Sequence, residues 1–345
     1  MATGHLRDTD QLAAGLATWL ATPGSPVRGE LFSVSRPSSG YSNETLVVEV
    51  ATPRRVEKLV VRLPTLEPSF PEYDLTMQAG VHEALSAAGL PVPVPVTVVD
   101  DPSWLGTAFL VMPFVEGHVL GEAPMFDRWL MGLDDDAQAQ VHDRFVDALA
   151  SVHRVDWSVA PVATVLRGRS GTLEDELAWW VGYVEWASDG SPLRPLVEGL
   201  EWCIAHRPAG GFGRSLLWGD PRLGNVIVGP DGTIRALVDW ELASVGPPEM
   251  DLAWYLALGD VLASLVSRRV GGFPDRAATV ARYEAALGRP TADMAWHEIF
   301  ALCRSLAISN RQARIAAAAG EAYVSAPDET NPVVPVIAAR IAAFG

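Results

Sequence analysis

The chain has 345 residues, enough for two modest domains or one two-lobed fold. Hydrophobic residues make up 49% and charged residues 20%, which excludes a disordered chain and points to a large core. The formal net charge of -16 argues against a nucleic-acid partner, whose binders carry basic patches, and no apolar run approaches the ~18 residues of a membrane span.

Met1–Asp10 is polar and shows no secretory pattern, so a cytoplasmic location is expected. Leu12, Leu16 and Leu20 recur at helical spacing, and Gln11–Ala21 reads as an amphipathic helix. Leu31–Arg36 and Thr45–Val50 read as paired strands, with the loop Pro37–Glu44 between them. That loop has one glycine, Gly40, and small hydroxyl residues such as Ser39 and Ser42, whose backbone N–H groups suit phosphate oxygens. Leu59–Arg62 is the next strand. Side chains alternate faces, so Val60 and Arg62 share one side and Leu59, Val61 and Leu63 the other. Glu72–Ala88 reads as a helix with Met77, Val81, Ala84, Leu85 and Ala88 as its apolar stripe, ended by Gly89, Pro91 and Pro93. Phe109–Met112 is an apolar run that passes into Pro113–Gly117.

Ala137–Val155 reads as a long helix, and His153 near its end is expected to pack or cap rather than catalyse. Thr172 can cap the following helix, with Asp175 three residues on. On that helix Trp179, Tyr183 and Trp186 recur at i, i+4 and i+7 and so share a face. Cys203 and Cys303 lie far apart in apolar helical contexts, have no metal spacing, and read as buried free thiols. Beyond Leu258 the chain reads as helices over Arg276–Leu287, Met294–Arg314 and Pro332–Ala343.

The informative stretch is Leu216–Leu258. Asp220 stands five residues before Asn225. The apolar runs Val226–Val228 and Ile234–Val238 then flank Gly229–Pro230–Asp231–Gly232, a hairpin signal. A hairpin returns the chain to its start, so Asp239 comes back beside Asn225. Two carboxylates and one amide oxygen are hard ligands of the kind that Mg²⁺ takes together with substrate phosphates.

Asp-x-x-x-x-Asn, a hairpin and then Asp resembles the catalytic and metal loops of protein-kinase-like phosphotransferases. The fuller patterns W-G-D-P-R-L-G-N, V-D-W-E and P-P-E-M-D-L-A-W resemble the aminoglycoside phosphotransferase family, especially the branch related to acyl-CoA-dehydrogenase-associated phosphotransferases. The resemblance implies an α+β, two-lobed, protein-kinase-like fold. A small antiparallel β lobe over about 1–112 would bind nucleotide, and a mainly helical lobe over 113–345 would carry catalysis and the acceptor.

By that resemblance Asp220 is the catalytic base, Asn225 and Asp239 hold Mg²⁺, and Arg222 stabilises the transferred phosphoryl group. Ser39, Gly40 and Ser42 cover the nucleotide phosphates, Val60 packs on adenine, and Pro113 and Val115 offer it backbone groups. Two positions depart from the kinase pattern. Arg62 stands where a lysine holds the α- and β-phosphates, and Lys58, the only lysine, is about 13 Å away at strand rise. Gln78 falls where a helix glutamate pairs with that cation, with Glu83 as the alternative partner. Trp218 stands in the place of a mainly structural histidine, and Asp251 is expected to bond back to the catalytic loop.

The expected activity is ATP- and Mg²⁺-dependent phosphorylation of a small-molecule hydroxyl, with GTP as a second donor to consider. The alternative is a nucleotide-binding pseudoenzyme with a regulatory or scaffold role. Two acceptor classes fit. A polycation would use Glu241, Glu249 and Asp260. A neutral or acyl-type alcohol would use Trp179, Tyr183 and Trp186 with the basic loop Arg167–Arg169.

Overall fold

The computed structural model of the chain describes residues 6–37, 43–121, 123–159, 162–166, 172–210, 213–323 and 325–344. Ser39, Gly40, Ser42, Arg167 and Arg169 lie outside the described residues. The first helix, α1 (Thr9–Leu20), is capped by Asp8, whose side chain accepts from the Gln11 N–H at 2.9 Å. Its leucine repeat is buried along one face together with Trp19.

Strands β1 (Glu30–Ser35), β2 (Asn43–Ala51) and β3 (Val56–Pro64) follow, then α2 (Leu75–Ala87), β4 (Thr97–Val99) and β5 (Phe109–Pro113). They form an antiparallel sheet in the order β1-β2-β3-β5-β4. The strand alternation divides the lobe. Leu59, Val61 and Leu63 join Leu46, Val48 and Val50 under α1, whereas Val60 faces Leu75 of α2, Leu110 and Met112 on the opposite side. Arg62, two residues past Val60, is thereby aimed to the α2 side. Helix α2 begins at Leu75 and not at Glu72, because Asp74 caps it by accepting from the Met77 N–H at 2.7 Å.

The second lobe is mainly helical. It runs through β6 (His118–Val119), α3 (Asp135–His153), α4 (Val162–Val165), α5 (Leu173–Ala187), α6 (Arg194–Ala205), β7 (Ser215–Leu217), β8 (Val226–Val228), β9 (Ile234–Leu237) and β10 (Ser244–Gly246). Helices α7 (Glu249–Val266), α8 (Arg276–Leu287), α9 (Met294–Ala318) and α10 (Val333–Phe344) complete it. Thr172 and Asp175 form a reciprocal capping box at the start of α5. The hairpin β8–β9 is antiparallel and is extended by β6, and β7 pairs with β10. Helix α7 packs on α9 and α3 on α8. The two cysteines are free and buried, and the tertiary fold brings them together: the neighbouring Cys303 of α9 and burial push the Cys203 thiol of α6 far up. Among the described residues no helix is long and apolar enough to cross a membrane.

Candidate active site

Strand β7 delivers the chain to Trp218, Gly219 and Asp220. Gly219 has φ +88°, and a Cβ there would meet the Leu242 carbonyl oxygen at 2.2 Å, so glycine is required on two counts. Asp251, in the first turn of α7, is fully buried. Its Oδ2 accepts from the Trp218 N–H at 2.6 Å and its Oδ1 from the Gly219 N–H at 3.1 Å. His153 Nε2 donates to the same carboxylate at 3.0 Å, and its Nδ1 lies 2.5 Å from the Tyr283 hydroxyl. His153 is therefore part of the support, as its sequence position suggested. From the other side Arg304 of α9 donates to the Gly219 carbonyl at 2.9 Å. Its guanidinium is sandwiched by Trp254 at 4.9 Å and Trp180 at 5.0 Å.

This clamp aims Asp220. Its Oδ1 accepts from the Trp254 indole N–H at 2.8 Å. Its Oδ2 accepts from Arg222 Nε at 2.8 Å and Asn225 Nδ2 at 3.0 Å. Burial pushes the Asp220 carboxyl above its ordinary value; Arg222 pulls it back and Asp239 adds to the rise. Asn225 Nδ2 also donates to the Asp220 carbonyl at 2.9 Å, which turns the amide so that its oxygen is the atom available as a ligand.

The hairpin closes where its turn signal places it. Val238 N–H donates to the Asn225 carbonyl at 3.0 Å, so Asp239 follows directly beside the catalytic loop. Trp218 supports the same backbone: its indole N–H donates to the Val238 carbonyl at 2.9 Å, and its ring stacks on Trp240 at 5.0 Å. Asp239 has φ +69°, a left-handed conformation that aspartate tolerates better than most residues and that recurs at functional sites.

Opposite Asp239 lies Arg62, which donates from Nη2 to Asp239 Oδ1 at 2.6 Å and stands 4.0 Å from Glu241. Burial alone would lower the guanidinium pKa, and Asp239, Tyr73 and Glu241 outweigh it, so Arg62 stands above its ordinary value. Gln78 is buried on α2, and its Nε2 has no hydrogen-bond partner among the described residues. The same holds for Arg62 Nε, the Tyr73 hydroxyl and Asn43 Oδ1. Three of these atoms, Gln78 Nε2, Arg62 Nε and the Tyr73 hydroxyl, are donors of the kind that phosphate oxygens accept from, whereas Asn43 Oδ1 is itself an acceptor. Glu83 is exposed, and Lys58 pairs with Glu49 and Glu116 at the far end of its strand, so neither serves Arg62. The expected Arg62–Gln78 pair is thus replaced by an Arg62–Asp239 pair, because only a carboxylate can neutralise a buried guanidinium.

Val60 is half-buried on the α2 face of the sheet. Pro113 ends β5, and Val115 follows Phe114, whose N–H donates to the Lys58 carbonyl at 3.1 Å. On α5, Tyr183 stacks on Trp179 at 5.6 Å and lies 5.8 Å from Trp186, so the three rings form one cluster. Tyr183 is buried and donates to the Ser69 carbonyl at 2.9 Å, whereas Trp179 and Trp186 are half-buried.

The acidic mouth expected of a polycation site is not assembled from its three candidates. Glu249 is fully buried against Arg289 at 2.6 Å, Asp260 pairs with Arg269, Arg276 and Arg340, and Glu241 is turned inward to Asn43 and Arg62. Each has a positive or amide partner nearby, which sequence distance concealed. Four participants carried no assigned role in the sequence: Trp254, Arg304, Asn43 and Tyr73. Trp254 falls inside the P-P-E-M-D-L-A-W pattern and was legible there. The other three have no local signal.

A five-stranded antiparallel lobe set on a mainly helical lobe is a two-lobed, kinase-like α+β fold. The chain belongs to the APH family, the phosphotransferase enzyme family, whose model matches residues 33–323. The Arabidopsis thaliana protein named probable acyl-CoA dehydrogenase IBR3 is 27% identical over 246 residues, covering 67% of this chain and 28% of that protein. The chain thus spans less than a third of the curated relatives it matches. A Ralstonia eutropha structure provisionally named an aminoglycoside phosphotransferase is similar with TM-score 0.71 and 22% identity, covering 97% of this chain and 98% of that one. The GDP complex of an aminoglycoside 2'-phosphotransferase-IIIa mutant is similar with TM-score 0.59 and 16% identity, covering 98% and 99%.

Asp251→Ala removes the acceptor for two buried N–H groups and a histidine. It is expected to lower unfolding stability by roughly 3–5 kcal/mol, the usual cost of breaking a buried charged network, as measured by urea denaturation. Asp251→Asn, which keeps one acceptor oxygen, should lose less; equal stability of all three proteins would refute the clamp.

Proposed function

We propose that this protein is an ATP- and Mg²⁺-dependent O-phosphotransferase acting on a hydroxyl of a small molecule. The observation that carries the reading is the Asp220 carboxylate, half-buried, held by three donors, and set beside a loop that presents Asn225 and Asp239. A lobe 1–112 that receives the nucleotide and a lobe 113–345 that receives the acceptor fit this division of labour. The partnerless polar atoms around Arg62 support a phosphate chain in the cleft.

In this reading Asn225 and Asp239 would hold Mg²⁺, which when bound neutralises charge on the phosphates. Asp220 orients the acceptor hydroxyl and takes its proton. The hydroxyl oxygen then forms a bond to the γ-phosphorus while the bond from that phosphorus to the β-bridging oxygen breaks, and ADP leaves. Arg222, already beside Asp220, meets the developing charge of the transferred group.

A second reading has its own observation. Arg62 occupies the very carboxylate that a metal would need, the arrangement of a nucleotide-binding pseudoenzyme. Turnover separates the two. Asp220→Asn should lower the transfer rate by about 10²–10⁴-fold with nucleotide affinity nearly unchanged. Because the base acts ionised and its pKa is raised above 3.8, kcat/KM of the native enzyme should fall as pH drops through a value above the ordinary aspartate range. That acid limb should be missing from the residual activity of Asp220→Asn. A native protein that binds Mg-ATP without turning over any hydroxyl acceptor would favour the pseudoenzyme.

For the acceptor, the part-exposed rings of Trp179 and Trp186, packed on the buried Tyr183, and the inward-turned acids support a neutral or acyl-type alcohol over a polycation. Attraction of a polycation would be screened over about 8–10 Å at 0.1–0.15 M salt. The KM of the acceptor should therefore change little between low and high salt, and Trp179→Ala should raise it. A KM that climbs steeply with salt, with kanamycin-like compounds as efficient acceptors, would reverse this assignment.

A further inference from the structure

Arg62 takes its counter-charge from an unusual direction. The helix position that could supply a carboxylate holds Gln78, which is neutral. Both carboxylates that face Arg62 come from the metal loop: Asp239 at 2.6 Å and Glu241 at 4.0 Å. Their duties differ. Asp239 is the ligand for Mg²⁺ in the reading above, and a guanidinium and a cation cannot share its oxygen. In that reading Glu241 is not among the ligands of the ion. Its side chain is only 8% exposed, and its Oε2 accepts from the Asn43 amide at the start of β2. Asn43 pairs in register with Pro64, two residues beyond Arg62 on β3, so the small lobe itself holds Glu241 against the arginine. Arg62 Nε has no partner among the described residues, so donor capacity remains for a further acceptor. Once a metal takes Asp239, Arg62 needs other anions, and Glu241 already stands beside it where the phosphates would arrive.

We propose that Glu241 is a positioning residue that holds Arg62 in the nucleotide-bound enzyme, with Asn43 fixing Glu241, so that the carboxylate partner of the strand cation is supplied by the metal loop and not by helix α2. The proposal rests on the phosphotransferase reading of the site. Arg62 then exchanges Asp239 for Glu241 and the phosphates as the nucleotide enters, and the metal loop becomes able to hold its ion only when phosphate is present to receive the arginine. Metal and nucleotide are thereby coupled through one side chain.

The test is calorimetric binding of a non-hydrolysable ATP analogue with Mg²⁺, and of adenosine, to the whole chain. Glu241→Gln should weaken the analogue about 10–100-fold, the worth of a lost charge-assisted contact, and leave adenosine within about twofold. Asn43→Ala, which keeps the carboxylate but frees it, should cause a smaller loss with the same selectivity, and it serves if Glu241→Gln folds poorly. In an Arg62→Ala background Glu241→Gln should cause no further loss, since its effect runs through the arginine. Unchanged analogue affinity in Glu241→Gln, equal losses for analogue and adenosine, or additive losses in the double variant would each overturn the proposal. A native chain that binds no Mg-nucleotide would instead overturn the reading of the site as a whole.

Discussion

Asp251 is a fully buried carboxylate, and the segment Trp218–Asp220 depends on how it is satisfied. A buried ionised group has to be met by donors on its oxygens or it destabilises the fold. Here the donors are two consecutive backbone N–H groups, of Trp218 and Gly219, and the His153 ring. Those two amides fix the peptide in the left-handed turn that Gly219 alone can adopt beside Leu242. Arg304 grips the carbonyl of the same glycine from the opposite side. Since Asp251 lies on α7 and Arg304 on α9, and these helices pack together, the helical lobe acts as a vice on one short segment. The carboxylate one residue further on, Asp220, inherits its direction from that grip.

The charges of the cleft are divided between the lobes. The small lobe contributes the cation Arg62 and the large lobe the anions Asp239 and Glu241, so electrostatic attraction crosses the cleft in the structure itself. In a medium of low dielectric such a contact is strong and also exclusive: a partner that takes one member must provide for the other. A magnesium–nucleotide complex has the right composition for this exchange, with a cation for the carboxylate and anions for the guanidinium. Gln78 on α2 is neutral, and the carboxylates beside Arg62 come from the large lobe instead.

A second link joins the lobes away from the metal loop. Tyr183 of α5 donates to the Ser69 carbonyl, and Arg311 of α9 lies 3.3 Å from the Pro68 carbonyl and 4.7 Å over the Trp186 ring. The segment leading into α2 is thus tied to the aromatic cluster of α5. Burial pushes the Tyr183 hydroxyl up, which keeps it a neutral donor in this tie. An acceptor resting on Trp179 and Trp186 would lie against the residues that orient the small lobe.

The sequence by itself determined everything that local periodicity and turn chemistry control. Alternation on β3 set Val60 and Arg62 on one face, the Pro-Asp-Gly turn returned Asp239 to Asn225, and Thr172 with Asp175 started α5. The family of the chain was also legible, because W-G-D-P-R-L-G-N and V-D-W-E are short contiguous patterns inside the matched residues 33–323. Only the tertiary structure decided which charge meets which. Arg62 and Asp239 are 177 residues apart, Asn43 and Glu241 are 198 apart, and Asp251 meets Trp218 across 33. No periodicity encodes such pairings. They are selected when packing removes water and each buried charge must find an opposite charge or a hydrogen-bond partner. For the same reason Glu241, Glu249 and Asp260 looked like an acidic rim in the sequence, while the folded chain gives each of them a partner of its own.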